Sequence, residues 1–186
     1  MIDAGEFLSS RRSSSADAAR AYRRDMASSS ADEESSDLDS CREAALRLLD
    51  AAPRSSGALR RRLIDKGYDD TIADEVIERL TRVRLLDDEA YALSAVRYCV
   101  GRMMGRRGAV MELMRKGVDR SLAEHVCAQA DSDGMFEESA WELGRCVARR
   151  TRGLDMQVRK RRFWSAGGRK GHNPETLRAV ASELFA

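Results

Sequence analysis

One four-residue phrase occurs three times in this chain: Lys66-Gly67-Tyr68-Asp69, Lys116-Gly117-Val118-Asp119 and Lys170-Gly171-His172-Asn173. Apolar residues at helical spacing follow each copy: Ile72, Ala73 and Val76, then Leu122, Ala123 and Val126, then Leu177 and Val180. The glycines stand 50 residues apart (67 to 117) and then 54 (117 to 171). A period of that size belongs to stacked helical units rather than to one enzyme core.

The phrase encodes a tight helix-to-helix turn. Glycine just past a helix end takes the left-handed conformation that satisfies the last carbonyls, and the preceding lysine puts positive charge at the negative end of the helix dipole. Asp69, Asp119 and Asn173 are N-caps for the next helix. Tyr68, Val118 and His172, one position earlier, can staple onto Ala73, Ala123 and Leu177. Pro174 falls at a first helical position, where its missing N–H costs nothing.

The surrounding pattern fills in three helices per turn. Residues from Cys41 place Ala44, Ala45, Leu48 and Leu49 on one face before Pro53 ends the helix. Ser55 or Ser56 caps a short helix through Leu59, Leu63 and Ile64, and a third helix runs from about Asp70 to Val83. Leu85-Leu86-Asp87-Asp88 opens a second unit with a helix of about 16 residues, roughly 24 Å long. Gly101, Gly105 and Gly108 then interrupt the chain around Arg106-Arg107 as a mobile loop. A third unit begins near Phe136, breaks at Gly153 and ends with a helix over Thr176–Phe185. Its glycine-rich 167–171 segment predicts a longer turn than in the other two units. No strand signal is present. The expected organisation is a serine-rich acidic disordered tail over 1–40, with a short helix conceivable at 16–26, and helical repeats over 41–84, 85–132 and 133–186.

Composition narrows the function. No stretch approaches the roughly 20 apolar residues that span a bilayer, and the first residues lack the pattern of a signal peptide, so a cytoplasmic location is expected. Cys41, Cys99, Cys127 and Cys146 have no paired spacing, and His125 and His172 are isolated, so neither a metal nor a cofactor is expected. The formal net charge of +2 hides an asymmetry. Residues 1–40 hold five arginines against nine acids, a balance of −4, which leaves +6 for 41–186. The repeats are therefore basic.

With these features in place, the chain resembles the RecX family of bacterial regulators of the RecA recombinase. The resemblance rests on Leu59–Val76, on the link Leu85-Leu86-Asp87-Asp88-Glu89-Ala90-Tyr91, and on Gly105-Arg106-Arg107-Gly108 leading to Leu113-Met114-Arg115-Lys116-Gly117-Val118. It implies an all-α, elongated array of three tandem three-helix repeats without enzymatic activity. It further implies a protein that binds the RecA filament on single-stranded DNA and hinders filament extension. ATP hydrolysis, strand exchange and coprotease activity would be lowered in consequence. A monomer is expected, with weak direct contact to DNA allowed.

Candidate contact residues come from charge. Residues 141–170 carry ten basic groups against Glu142 and Asp155, a net of +8, and such a field attracts DNA phosphates or an acidic protein surface. Arg149, Arg150, Arg152, Arg159, Lys160, Arg161 and Arg162 are its candidates, and Phe163 and Trp164 beside them read as core. Arg102, Arg106, Arg107, Arg115 and Lys116 form a second group around the glycine segment, and Arg60, Arg61 and Arg62 a smaller third. The alternative function is a helical DNA-binding protein acting without RecA. Base-specific reading is disfavoured, because the third helices carry Asp74, Glu75 and Glu78, or Glu124 and His125, where a major-groove reader needs arginine or an amide. The glycines form no phosphate-binding loop, since no strand precedes them. No serine, histidine and acid arrangement suggests catalysis.

Overall fold

The computed structural model of the chain describes residues 36–186. The tail up to residue 35 and the helix considered at 16–26 lie outside the described residues. Nine helices account for the regular structure of the described residues, with no strand among them. Helix α1 spans 36–51, α2 Ser56–Ile64 and α3 Asp70–Arg82; α4 spans Asp88–Gly101, α5 Arg106–Arg115 and α6 Arg120–Ser132; α7 spans Met135–Arg150, α8 Met156–Lys170 and α9 Pro174–Leu184. The fold is all-α, built from three three-helix units. α1 is already helical at residue 36, so 36–40, assigned above to the tail, continue the helix, and Leu38 rests against the first core.

Each unit has its own core. Cys41, Ala44 and Ala45 of α1 meet Leu59 and Leu63 of α2 and Ala73, Val76 and Leu80 of α3. In the second unit Ala92, Val96 and Cys99 meet Leu113, Val126 and Cys127. In the third, Leu143, Phe163, Leu177, Val180 and Phe185 close together, with the two phenylalanine rings stacked at 5.2 Å. The cores are rich in alanine, which lets helix axes approach closely.

The three repeated turns are alike. Gly67, Gly117 and Gly171 have φ of 96°, 87° and 76°. The residue after each donates its N–H five residues back: Tyr68 to Leu63 O at 3.2 Å, Val118 to Leu113 O at 3.1 Å and His172 to Gly167 O at 3.1 Å. That is the hydrogen bond of a helix end closed by a left-handed residue. Asp69, Asp119 and Asn173 then accept from Thr71 N, Ser121 N and Glu175 N at 2.8, 2.8 and 2.9 Å. The hydroxyls of Thr71 and Ser121, together with these backbone bonds, hold the Asp69 and Asp119 carboxyls below their ordinary range.

Three expectations are corrected. α4 has 14 residues rather than 16, because Met103 turns left-handed at φ 57° and Met104 N closes on Cys99 O at 3.0 Å. The Gly105–Gly108 segment is not a mobile loop: Gly105 caps α5, and Arg106, Arg107 and Gly108 form its first turn. These glycines serve close approach, since a Cβ on Gly105 would fall on the His172 backbone and one on Gly108 on Lys170 O. The third turn is no longer than the others. Gly167 and Gly168 belong to α8, and Gly167 lets the Leu177 side chain pack against the helix, since a Cβ there would stand 2.5 Å from Leu177 Cδ2.

Candidate partner-binding surface

The helices distribute the predicted basic residues into two sets. The first is tied into the fold. Arg60 binds Asp74 at 2.6 Å and Asp70 at 3.5 Å. Arg61 Nη2 donates to Arg115 O at 3.3 Å, joining the first and second units. Arg106 pairs with Asp131 at 3.2 Å. Arg115 grips Glu112 with two nitrogens at 2.8 and 2.7 Å, which keeps the Glu112 carboxyl below its ordinary range. Arg102 and Lys116 sit over the Tyr98 ring at 5.6 and 5.5 Å, and Arg102 also donates to the Tyr98 hydroxyl at 3.0 Å. Arg159 lies half-buried over the Phe185 ring at 5.5 Å and donates to Thr151 Oγ1 at 3.4 Å.

The second set has no such anchor. Among the described residues, Arg62, Arg107, Arg149, Arg150, Arg152, Lys160, Arg161 and Arg162 make no ion pair. The last turn of α7 and the middle of α8 bring Arg150, Arg161 and Arg162 together with Arg169 around a depression of about 470 Å³ that also includes Thr151 and Ser165. Several cations around one hollow without a carboxylate between them favour an anionic occupant. Arg169 also borders a groove of about 810 Å³ between α5 and α8–α9, lined by Arg107, Met111, Trp164 and the paired Arg115 and Glu112. The two hollows adjoin at Arg169, giving one basic surface across the second and third units. Arg60, Arg61 and Arg62 are not brought onto it.

Trp164 corrects an expectation: it is 37% exposed, whereas Phe163 is fully buried. Adjacent residues on a helix point about 100° apart, so one burying its ring turns the other outward. Met111, 69% exposed, stands two residues from both Ala109 and Leu113, which face the core, and so projects from the opposite side. Other acids of α3 and α6 pair within their own helix: Glu75 with Arg79, Glu78 with Arg82 and Glu124 with Arg120. No group of three or more metal-ligating side chains occurs among the described residues. No described helix is long and apolar enough to cross a membrane.

Known proteins place this arrangement. Residues 41–80 match the sequence family described as RecX, first three-helix domain, and residues 87–126 match RecX, second three-helix domain. Regulatory protein RecX of Streptomyces coelicolor is 34% identical over 149 residues, covering 79% of this chain and 79% of that protein. The chain belongs to the RecX family. Regulatory protein RecX of a Mycobacterium species is 35% identical over 148 residues, spanning 75% of this chain and 79% of its own. The crystal structure of RecX from Lactobacillus salivarius superposes with a TM-score of 0.71 at 22% identity, over 81% of this chain and 97% of that one. At that identity the likeness speaks for the RecX fold alone. The matched RecX domains span the first two units, and the unpaired arginines concentrate beyond them, in the third.

Proposed function

We propose that this chain regulates recombination by binding the RecA filament on single-stranded DNA, hindering its extension and so lowering ATP hydrolysis, strand exchange and coprotease activity. It belongs to a family whose members are named as regulatory proteins, and the observation that carries the reading is the continuous basic surface with Trp164 at its edge. Three similar modules suit a ligand for a repeating target, because contacts that are weak singly add when several engage one polymer. The mechanism is thermodynamic and steric. Binding across adjacent protomers favours one filament state, and a chain lying at the growing end obstructs the next protomer. No chemistry of its own is required, and the protein acts as a cytoplasmic monomer.

Titration into RecA hydrolysing ATP on single-stranded DNA tests this. Hydrolysis should fall as the protein is added, and unchanged hydrolysis at equimolar protein would reject the reading. The hollow ringed by Arg150, Arg161, Arg162 and Arg169 supports a second reading, a DNA-binding protein acting without RecA. That reading demands tight binding to bare DNA with a steep salt dependence, whereas the first tolerates weak binding.

A further inference from the structure

The middle helices of the units meet through one repeated contact. At the end of α5, Lys116 O accepts the Ser55 hydroxyl at 2.7 Å, and a Cβ on Gly57 would collide with Gly117 O. At the end of α8, Gly105 N donates to Lys170 O at 2.9 Å and Arg107 N to Gly171 O at 3.2 Å, while a Cβ on Gly108 would collide with Lys170 O. The two junctions obey one rule. The carbonyl of the lysine before the left-handed glycine receives the N-cap residue of another helix, Ser55 or Gly105, and a glycine in that helix's first turn lets the backbones touch. The negative end of one helix thereby faces the positive end of the other.

The first unit carries the same turn without its counterpart. Gly67 has the same conformation and closing bonds, yet among the described residues nothing stands within 4 Å of where its Cβ would be. Among the described residues no hydrogen bond reaches Lys66 O. At the opposite end of the series, the start of α8 does not fit it. α8 is capped by Asp155, and the second and third positions after the cap, where α2 has Gly57 and α5 has Gly108, hold Gln157 and Val158. Their side chains would block the approach that the glycines permit. A second copy of this chain is therefore not the occupant, and the series does not propagate by itself.

We infer that the Gly67 turn is a docking point for the first turn of a helix in a partner protein, one capped by serine or glycine and carrying glycine at the second or third position after its cap. The inference rests on the reading above, in which that partner is the filament protein. Docking there would extend the chain's internal junction onto its target.

The test uses full-length protein and filaments on single-stranded DNA. Gly67→Asn keeps the left-handed turn, which asparagine tolerates, and puts a side chain in the docking space. It should weaken filament binding about tenfold or more, as the loss of a central contact does. Gly153→Asn is the matched control, since Gly153 also has positive φ and open surroundings, and it should bind like wild type. Wild type failing to bind overturns the filament reading and this inference with it. Wild type and Gly67→Asn binding alike overturns the docking point alone. A photo-crosslinking residue in place of Lys66 should join to the first turn of a filament-protein helix. Attachment only to residues 1–35 of its own chain, to a second copy, or to nothing refutes the assignment.

Discussion

Gly108→Ala separates two views of the basic glycine segment. In a mobile loop, alanine would be neutral or helpful. Inside a helix it would also gain propensity, about 1 kcal/mol over glycine. The structure opposes that gain, because the new Cβ meets Lys170 O and stands 3.0 Å from Lys170 C, which is backbone and cannot rotate away. Accommodating an extra methyl group against packed atoms costs about 1–3 kcal/mol. The shift also strains Gly105 N to Lys170 O and Arg107 N to Gly171 O, each worth about 0.5–1.5 kcal/mol. The balance is a loss on the order of 2 kcal/mol. At about 2–4 °C per kcal/mol for a chain of this length, the melting temperature should fall about 4–8 °C. Gly168→Ala is the control: it is helical with nothing within 4 Å among the described residues, so the propensity gain stands unopposed and melting should rise by about 2–4 °C. Far-ultraviolet circular dichroism during heating reads both. A Gly108→Ala protein melting at or above wild type would refute the account of this junction.

Phe163→Ala removes a fully buried ring stacked on Phe185 and should cost about 3–5 kcal/mol in urea unfolding, against an effect within about 0.5 kcal/mol for the exposed Arg162→Ala. His172 is buried, which with nearby Lys170 holds its pKa below the ordinary 6.5 despite the bond to Met103 O. The unfolded chain therefore binds more protons just below that value, and stability should decline as pH drops below about 6.5 and level off under the folded pKa; His172→Gln should flatten that slope in pH-dependent melting. Burial raises the Cys127 thiol to about 11 and pushes Cys41 and Cys99 upward too, so a thiol reagent on the folded protein at mild alkaline pH should modify Cys146 first and the other three only on unfolding. Hydrogen exchange should show the first unit opening before the other two.

What could be read from the sequence was local. The three turns depend on residues within about five positions of each other, so the glycine, cap and preceding lysine declare them directly. Contacts between units are not written that way. Gly57, Gly105 and Gly108 are glycines because a distant backbone occupies their Cβ positions, and in sequence such a glycine looks the same as one marking a flexible loop. At Gly167 the distant neighbour is a side chain, that of Leu177, and it is equally invisible in sequence. Cross-helix ion pairs such as Arg60 with Asp74 and Arg106 with Asp131 remove individual members from a charge cluster that counting treats as uniform. Trp164 was legible in principle, since the helical phase that buries Phe163 turns its neighbour outward.

The two junctions differ in kind although they share a motif. Between the second and third units the lysine–glycine contact is reinforced by apolar exchange: Phe136 of α7 lies in the second core, and Met103, from the link after α4, packs on the third. Ser139 adds a hydrogen bond to Met104 O at 2.8 Å. Between the first and second units Leu86, from the link before α4, lies in the first core, and the contacts between helices are polar: Ser55 to Lys116 O, Arg61 to Arg115 O, and Ser56 with Asp88 through its N–H at 2.7 Å and its hydroxyl. Hydrogen bonds each add only about 1 kcal/mol net, because water competes for the same groups once they separate, whereas burying a ring such as Phe136 contributes about 1.5–3 kcal/mol with no such competitor. The polar joint therefore specifies direction more than strength. On the filament reading proposed above, a chain that lies along a polymer gains from that division. Its basic surface is held rigid across two units, and the first unit, with its open Gly67 turn, is left as the part that can adjust.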